Sequence, residues 1–148
     1  MLYSVQETIQ LLTAGEYIII SGTPNLYRPE IEEASTHVLF REIHKIIGDD
    51  TAPMIAEGLY AGTIETVIIA PGLTKADGLW LAVKYGQESF IWVDKHLKAQ
   101  LIYTLGDKAD TVIRSQDFTI STVKPGEDNY TAVSTANRPI YFQIHFQF

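Results

Sequence analysis

The stretch EYIIISGTPNLYRPEIEEASTHVLFREIHKII, residues 16–47, decides how this sequence reads as a fold. Glu16 to Ser21 contains Tyr17, Ile18, Ile19 and Ile20, an aromatic and β-branched run of strand length, and the breaker set Gly22-Thr23-Pro24-Asn25 ends it. A helix then starts at Pro29, which suits the first helical position, with Glu30, Glu32 and Glu33 where the helix dipole favours negative charge. It runs to about Ile47 with Ile31, Ala34, Val38, Leu39, Ile43 and Ile46 on one face, and Gly48 stops it. An apolar run without alternation is the mark of a strand covered on both faces, and strands alternating with amphipathic helices make an α/β sheet.

Upstream, Ser4 caps a helix from Val5 to Ala14 in which Val5, Ile9 and Leu12 recur at helical spacing. Downstream the alternation repeats as strands Met54 to Tyr60 and Glu65 to Ala70, a helix near Lys75 to Tyr85, and a strand Glu88 to Asp94. A turn at Lys95 to Leu97 returns the chain as a hairpin strand, Lys98 to Thr104. From Thr111 the period becomes two, with strands Phe118 to Val123, Tyr130 to Ser134 and Ile140 to Phe148. In the last, Ile140, Phe142, Ile144, Phe146 and Phe148 lie on one face and Tyr141, Gln143, His145 and Gln147 on the other. The expected architecture is a single domain over residues 1–148: an α/β (α+β) layer sandwich, two or three helices on a mixed sheet, with a C-terminal antiparallel strand extension. The segments Tyr17 to Ile20, Val67 to Ile69 and Phe90 to Val93 are expected to share that sheet, under the helix 29–47.

The chain has 148 residues, 46% hydrophobic and 20% charged, enough for a conventional core and unlike a disordered segment. Its net charge of -7 and scattered basic residues argue against nucleic-acid binding. The acidity is uneven: residues 1–53 hold three basic residues against eight acidic ones, a surface suited to solubility or to a basic partner. With no cysteine, thiol catalysis, thiolate zinc sites and disulfides are all excluded. No leader pattern opens the chain and the apolar runs are only a few residues long, so a soluble, cytoplasmic protein with no membrane partner is expected.

Nucleotide-binding glycine signatures and a Walker lysine are missing. His37 and His44 are seven apart on one helix, about 10 Å of rise, too far to share a metal, so no metal or cofactor is expected. Loops at strand ends commonly line crevices, which makes Ser21, Thr23 and Asn25 candidates, although Thr23-Pro24-Asn25 also makes an ordinary turn. Glu65 is in phase with Val67 and Ile69, so it points to an apolar face and must be paired, hydrogen-bonded or protonated. Acid and base work by Glu57 with Glu65 needs the two close in space. Gln87, Glu88 and Ser89 interrupt a helix-to-strand junction with an amide, a carboxylate and a hydroxyl, as a ligand site or as a plain helix cap.

The succession Ile18-Ile19-Ile20-Ser21-Gly22-Thr23-Pro24-Asn25, a long helix, Glu57-Gly58-Leu59-Tyr60-Ala61-Gly62-Thr63-Ile64-Glu65, then a helix into Tyr85-Gly86-Gln87-Glu88-Ser89-Phe90 spans roughly residues 16–104. It resembles a small family of bacteria and their phages, the domain-of-unknown-function family numbered 3293. Ser-Gly-Thr-Pro-Asn stands where that family has a Thr-Ala-x-Asn-Pro-like turn. The resemblance implies an α/β fold and a shared polar site, and brings no established activity.

Three functions fit these observations. The first is a small non-enzymatic accessory protein, in the host cytoplasm if phage-encoded, that binds a host protein or a small polar ligand. The second is an enzyme acting through Glu65 and Gln87 to Ser89 on a small polar or nucleotide-like substrate. The third is a virion or assembly component whose aromatic C-terminal strand adds to another chain's sheet edge. Independently of function, that strand is expected to pair with another strand, in its own chain or in a second copy as a homodimer.

Overall fold

The computed structural model describes residues 2–21, 29–48, 52–60, 63–127 and 129–147, and the side chains of residues 29–35, 60 and 63 are outside the description. Helix α1 spans Val5–Ala14, and strand β1 spans Tyr17–Ser21. Helix α2, Pro29–Ile47, leads to strands β2, Met54–Tyr60, and β3, Thr63–Pro71. Helix α3, Lys75–Lys84, precedes β4, Ser89–Val93, and β5, Ala99–Tyr103. The remaining strands are β6, Val112–Ser121, β7, Asn129–Val133, and β8, Ile140–Phe146.

These strands close into a barrel in the order β1-β3-β2-β7-β8-β6-β5-β4, with β4 returning to β1, and each neighbouring pair is antiparallel. The expected layer sandwich with a mixed sheet is therefore wrong: the fold is a closed antiparallel β-barrel with three short helices. The C-terminal strands are not an extension but three of the barrel's eight staves. The misreading has a physical origin. Strands β1 and β2 run parallel, as a helical crossover requires, but β3 sits between them and is antiparallel to both. Strand β1 separates β3 from β4 in the same way, beneath the crossover through α3. Each strand–helix–strand unit is thus split by a third strand, which a one-dimensional reading does not reveal.

Alternation divides the side chains between two cores. Tyr17, Ile19, Ala56, Val67, Ile69, Val93 and Phe142 fill the barrel interior. Ile18, Ile20, Ile68, Ala70, Phe90 and Ile102 face outward beneath Leu39 and Ile43 of α2 and Leu81 of α3. The Ile18-Ile19-Ile20 run is apolar throughout because one residue enters the barrel while its two neighbours meet helices. The segments Tyr17 to Ile20, Val67 to Ile69 and Phe90 to Val93 do lie side by side, in the order β3-β1-β4.

Helix α1 closes one end of the barrel. Its N-cap Ser4 accepts from the Glu7 backbone N–H while the Glu7 carboxylate accepts from that of Ser4, a reciprocal cap that fixes where the helix begins. Leu12 is fully buried in the interior core, with Val5, Ile9 and Leu11 packed around it. The Tyr3 carbonyl accepts from the Ala136 N–H at 2.7 Å, tying the plug to the loop between β7 and β8. Among the described residues no helix is long and apolar enough to cross a membrane. Strand β8 pairs with β6 on one side and β7 on the other, so the pairing expected of the last strand is made within its own chain.

Candidate functional site

Following four of the interior rows from the plug toward the opposite end gives the same change from apolar to polar, whereas the row of β8 stays apolar through Ile144 and Phe146. In β1 the row is Tyr17, Ile19, Ser21; in β3 it is Ile69, Val67, Glu65; in β4, Val93, Ile91, Ser89; in β7, Val133, Thr131, Asn129. The antiparallel register places the polar ends of β1, β3 and β4 together, since Ser21 is opposite Val67 and Ile19 is opposite Ile91, and Asn129 of β7 lines the same cavity. Ser21, Glu65, Ser89 and Asn129, all half-buried, line a cavity of about 410 Å³ at this end of the barrel. Its apolar wall is Ile19, Val67, Ile91, Leu101, Ile144 and Phe146. That volume lies within the ~300–1,000 Å³ usual for small-molecule sites, and a mostly apolar wall with a few convergent polar groups is their usual lining.

The polar groups differ in how they are held. Ser21 Oγ donates to the Thr66 carbonyl at 3.3 Å. Asn129 Nδ2 donates to the Ile144 carbonyl at 3.1 Å, and the Asn129 carbonyl accepts from Gln143 Nε2 at 3.0 Å, so this residue is braced against β8. The Glu65 carboxylate has no hydrogen-bond or ion-pair partner among the described residues. It occupies the apolar face that its phase with Val67 and Ile69 indicated.

The other expected site residues are elsewhere. Gln87 is buried at 4% exposure, with its Nε2 donating to the Tyr85 carbonyl at 3.5 Å and its backbone N–H to Ala82 at 2.8 Å. It finishes α3 after Gly86, whose φ of 65° reverses the chain, and does not line the cavity. Glu88 is exposed and contributes its backbone carbonyl, which accepts from Thr104 N–H at 2.8 Å. Thr23 and Asn25 lie outside the described residues. Glu57 is paired with Thr66 in the ladder and faces the barrel exterior, opposite in sense to Glu65, so the two carboxylates are divided by the sheet. Asn129 was missed, although its phase with Thr131 and Val133 is the same signal that pointed to Glu65.

Two further concavities lie outside the barrel. The larger, about 750 Å³, runs between α1, the end of α2 and the start of α3. Its carboxylates already serve the fold: Glu7 caps α1, Asp77 caps α3, and Glu16 accepts from Trp92 Nε1 at 2.9 Å. A shallower one of about 490 Å³ lies on the uncovered outer face of β3, β2, β7 and β8, where Ile55 and Ile64 are 51% and 67% exposed.

His145, between cavity residues Ile144 and Phe146, points outward and is gripped by two carboxylates. Nδ1 lies 2.6 Å from Asp117 Oδ1 on β6, and Nε2 lies 3.0 Å from Glu127 Oε2 in the loop before β7. The hydrogen bonds to Glu127 and then to Asp117 hold the imidazole pKa above its ordinary value. Only the imidazolium can donate from both nitrogens. A raised folded-state pKa means this contribution is full below the unfolded value of about 6.5 and fades as pH rises through the folded one. Stability of the wild type is therefore expected to decline from pH 6 toward pH 8 relative to His145→Gln, by no more than the ~1 kcal/mol of exposed ion pairs. Denaturant midpoints across that range check it, and parallel curves for the two proteins would remove the clasp.

No protein-family model matches the chain and no curated protein matches it, so what the site can do is read from its geometry.

Proposed function

We propose that this chain is a non-enzymatic binding protein for a small ligand, held in the open end of the barrel. The observation that carries the reading is the pairing of a helix-plugged end with an opposite cavity of about 410 Å³, apolar along its wall and polar at four converging strand ends. A barrel of eight strands is just wide enough for its interior to be filled by side chains or to hold one small ligand. Here α1 and the large side chains fill one half, and Ser21, Ser89 and Asn129 leave space in the other. The enzyme reading is weaker because Glu65, Gln87 and Glu88 are dispersed, which leaves Glu65 without the second acid–base group that it requires. The exposed Ile55 and Ile64 favour a second reading, docking of a protein on the outer sheet face.

The neutral dye N-phenyl-1-naphthylamine tests the first reading, because its emission rises on entering an apolar site. Wild-type protein is expected to enhance it saturably. Leu101→Trp, which fills the cavity from a half-buried wall position, should weaken that binding at least tenfold at a melting temperature within a few degrees of wild type. No enhancement by the wild type, or equal enhancement by the variant, would remove the site.

A further inference from the structure

We infer that the ligand of the barrel cavity is a cationic amphiphile, an amine with a compact apolar body, and that Glu65 is the residue that selects it. The inference rests on the reading of this cavity as a ligand site and adds the chemical class of what enters. It follows from a count of which hydrogen-bonding valences remain open at the mouth.

The donors at the mouth are largely committed. Ser21 gives its hydroxyl hydrogen to Thr66, and Asn129 gives an amide hydrogen to Ile144. The Asn129 side-chain oxygen and both oxygens of Glu65 have no partner among the described residues. Ser89 can accept as well as donate. None of the described side chains lining the cavity is lysine, arginine or histidine. Lys108, in the turn between β5 and β6, is occupied over the Tyr103 ring at 5.3 Å and is not part of the lining. The mouth is therefore acceptor-rich and carries a net negative charge beside an apolar wall.

Glu65 is half-buried beside this apolar wall, and no described residue pairs its carboxylate. An ammonium group presents three donors and no acceptor, which matches one carboxylate flanked by an amide oxygen and a hydroxyl. The apolar wall of Ile19, Val67, Ile91, Leu101, Ile144 and Phe146 would take the rest of the ligand. A carboxylic acid of the same shape would meet Glu65 as a like charge. A neutral alcohol would gain the wall but only ordinary hydrogen bonds at the mouth.

Octylamine, octanol and octanoate, kept below their aggregation limits, separate these cases by displacement of N-phenyl-1-naphthylamine. In the wild type, octylamine is expected to bind about tenfold or more tighter than octanol, a ratio equivalent to ~1.4 kcal/mol, and octanoate weakest of the three. Glu65→Gln keeps the shape and removes the charge, so it should bring octylamine to within about twofold of octanol and leave octanol unchanged. If octanol matches octylamine on the wild type, or the preference persists in Glu65→Gln at unchanged melting temperature, selection of a cation by Glu65 is wrong although the cavity still binds. If none of the three displaces the dye, or Leu101→Trp binds them all as the wild type does, the cavity reading itself fails. Should Glu65→Gln not fold, the wild-type order of the three probes still decides the ligand class.

Discussion

Truncation after Gln143 is expected to abolish cooperative folding or to lower the melting temperature by 10 °C or more. Strand β8 closes the barrel: Phe118 pairs with Ile144, Asp117 with His145 and Ser115 with Phe146, and β7 lies on its other edge. Removing residues 144–148 takes Ile144, 4% exposed, out of the interior core and strips half-buried Phe146 from it. A fully buried side chain of this size contributes ~1.5–3 kcal/mol by transfer alone, and the cavity left behind adds to the cost. The full loss at Ile144 and a partial one at Phe146, added to the lost ladder of β8, are a large part of the ~5–15 kcal/mol that holds an ordinary domain together. At roughly 2–4 °C per kcal/mol for a chain of this size, the shift is easily measured. The opened barrel would also expose unpaired groups of β6, so the truncated protein should aggregate. Thermal melting followed by circular dichroism, with light scattering alongside, checks both. An unchanged melt and unchanged mass would mean that the closure contributes little.

The same strand shows what the sequence could and could not convey. Its alternation assigned Ile140, Phe142 and Ile144 to a core face, and the structure buries all three in the interior. Which strands would flank it was not legible, because pairing partners are set by long-range register and not by local pattern. Strand β6 shows the limit more sharply. The sequence marks a strand only from Phe118 onward, because no residue of β6 is fully buried and its register shifts between Ser115 and Asp117, so its first half carries no core-facing pattern. The Ile18-Ile19-Ile20 run was rightly read as covered on both faces. A parallel sheet between helix layers and a barrel wall beneath helices impose the same demand, and nothing local separates them.

The site was legible where a polar residue broke the phase of an interior row. Glu65 satisfies that test, and Ser21 and Ser89 line the same cavity with it. Gln87 misled because a polar residue at a junction has two explanations. Here its backbone finishes a helix and its side chain folds back on Tyr85, so burial came from the cap and not from a ligand crevice. Asn129 failed to register because it begins its strand, where polar residues are ordinary turn formers.

Gly78→Ala is expected to destabilise the protein by ~1–3 kcal/mol, the reverse of the usual effect, and Gly78→Val to prevent folding. Glycine within a helix normally costs ~0.5–1 kcal/mol relative to alanine, so at an ordinary position the first substitution would be a gain. Position 78 is not ordinary. It lies in α3 against the ring of Phe90, and a Cβ built there would overlap the ring edge, with Cδ2 only 2.8 Å away. Phe90 is 2% exposed and packed in the core between α3, β1 and β5, so its ring cannot swing aside without displacing neighbours. Either α3 moves off the barrel or the ring leaves its rotamer, and both forfeit packing. By helix propensity alone a glycine here would be a weak point; in the fold it is where the helix approaches the sheet closely. The contact also fixes the strand that begins at Ser89, one residue before Phe90, and so helps to set the cavity's rim. Urea midpoints of Gly78→Ala, Phe90→Leu and the double variant test the mechanism as well as its size. A clash with the ring predicts that Phe90→Leu costs less in the Gly78→Ala background than in the wild type, because the smaller side chain makes room for the methyl group. If Gly78→Ala is as stable as the wild type, or the two changes simply add, the close approach does not govern how α3 packs.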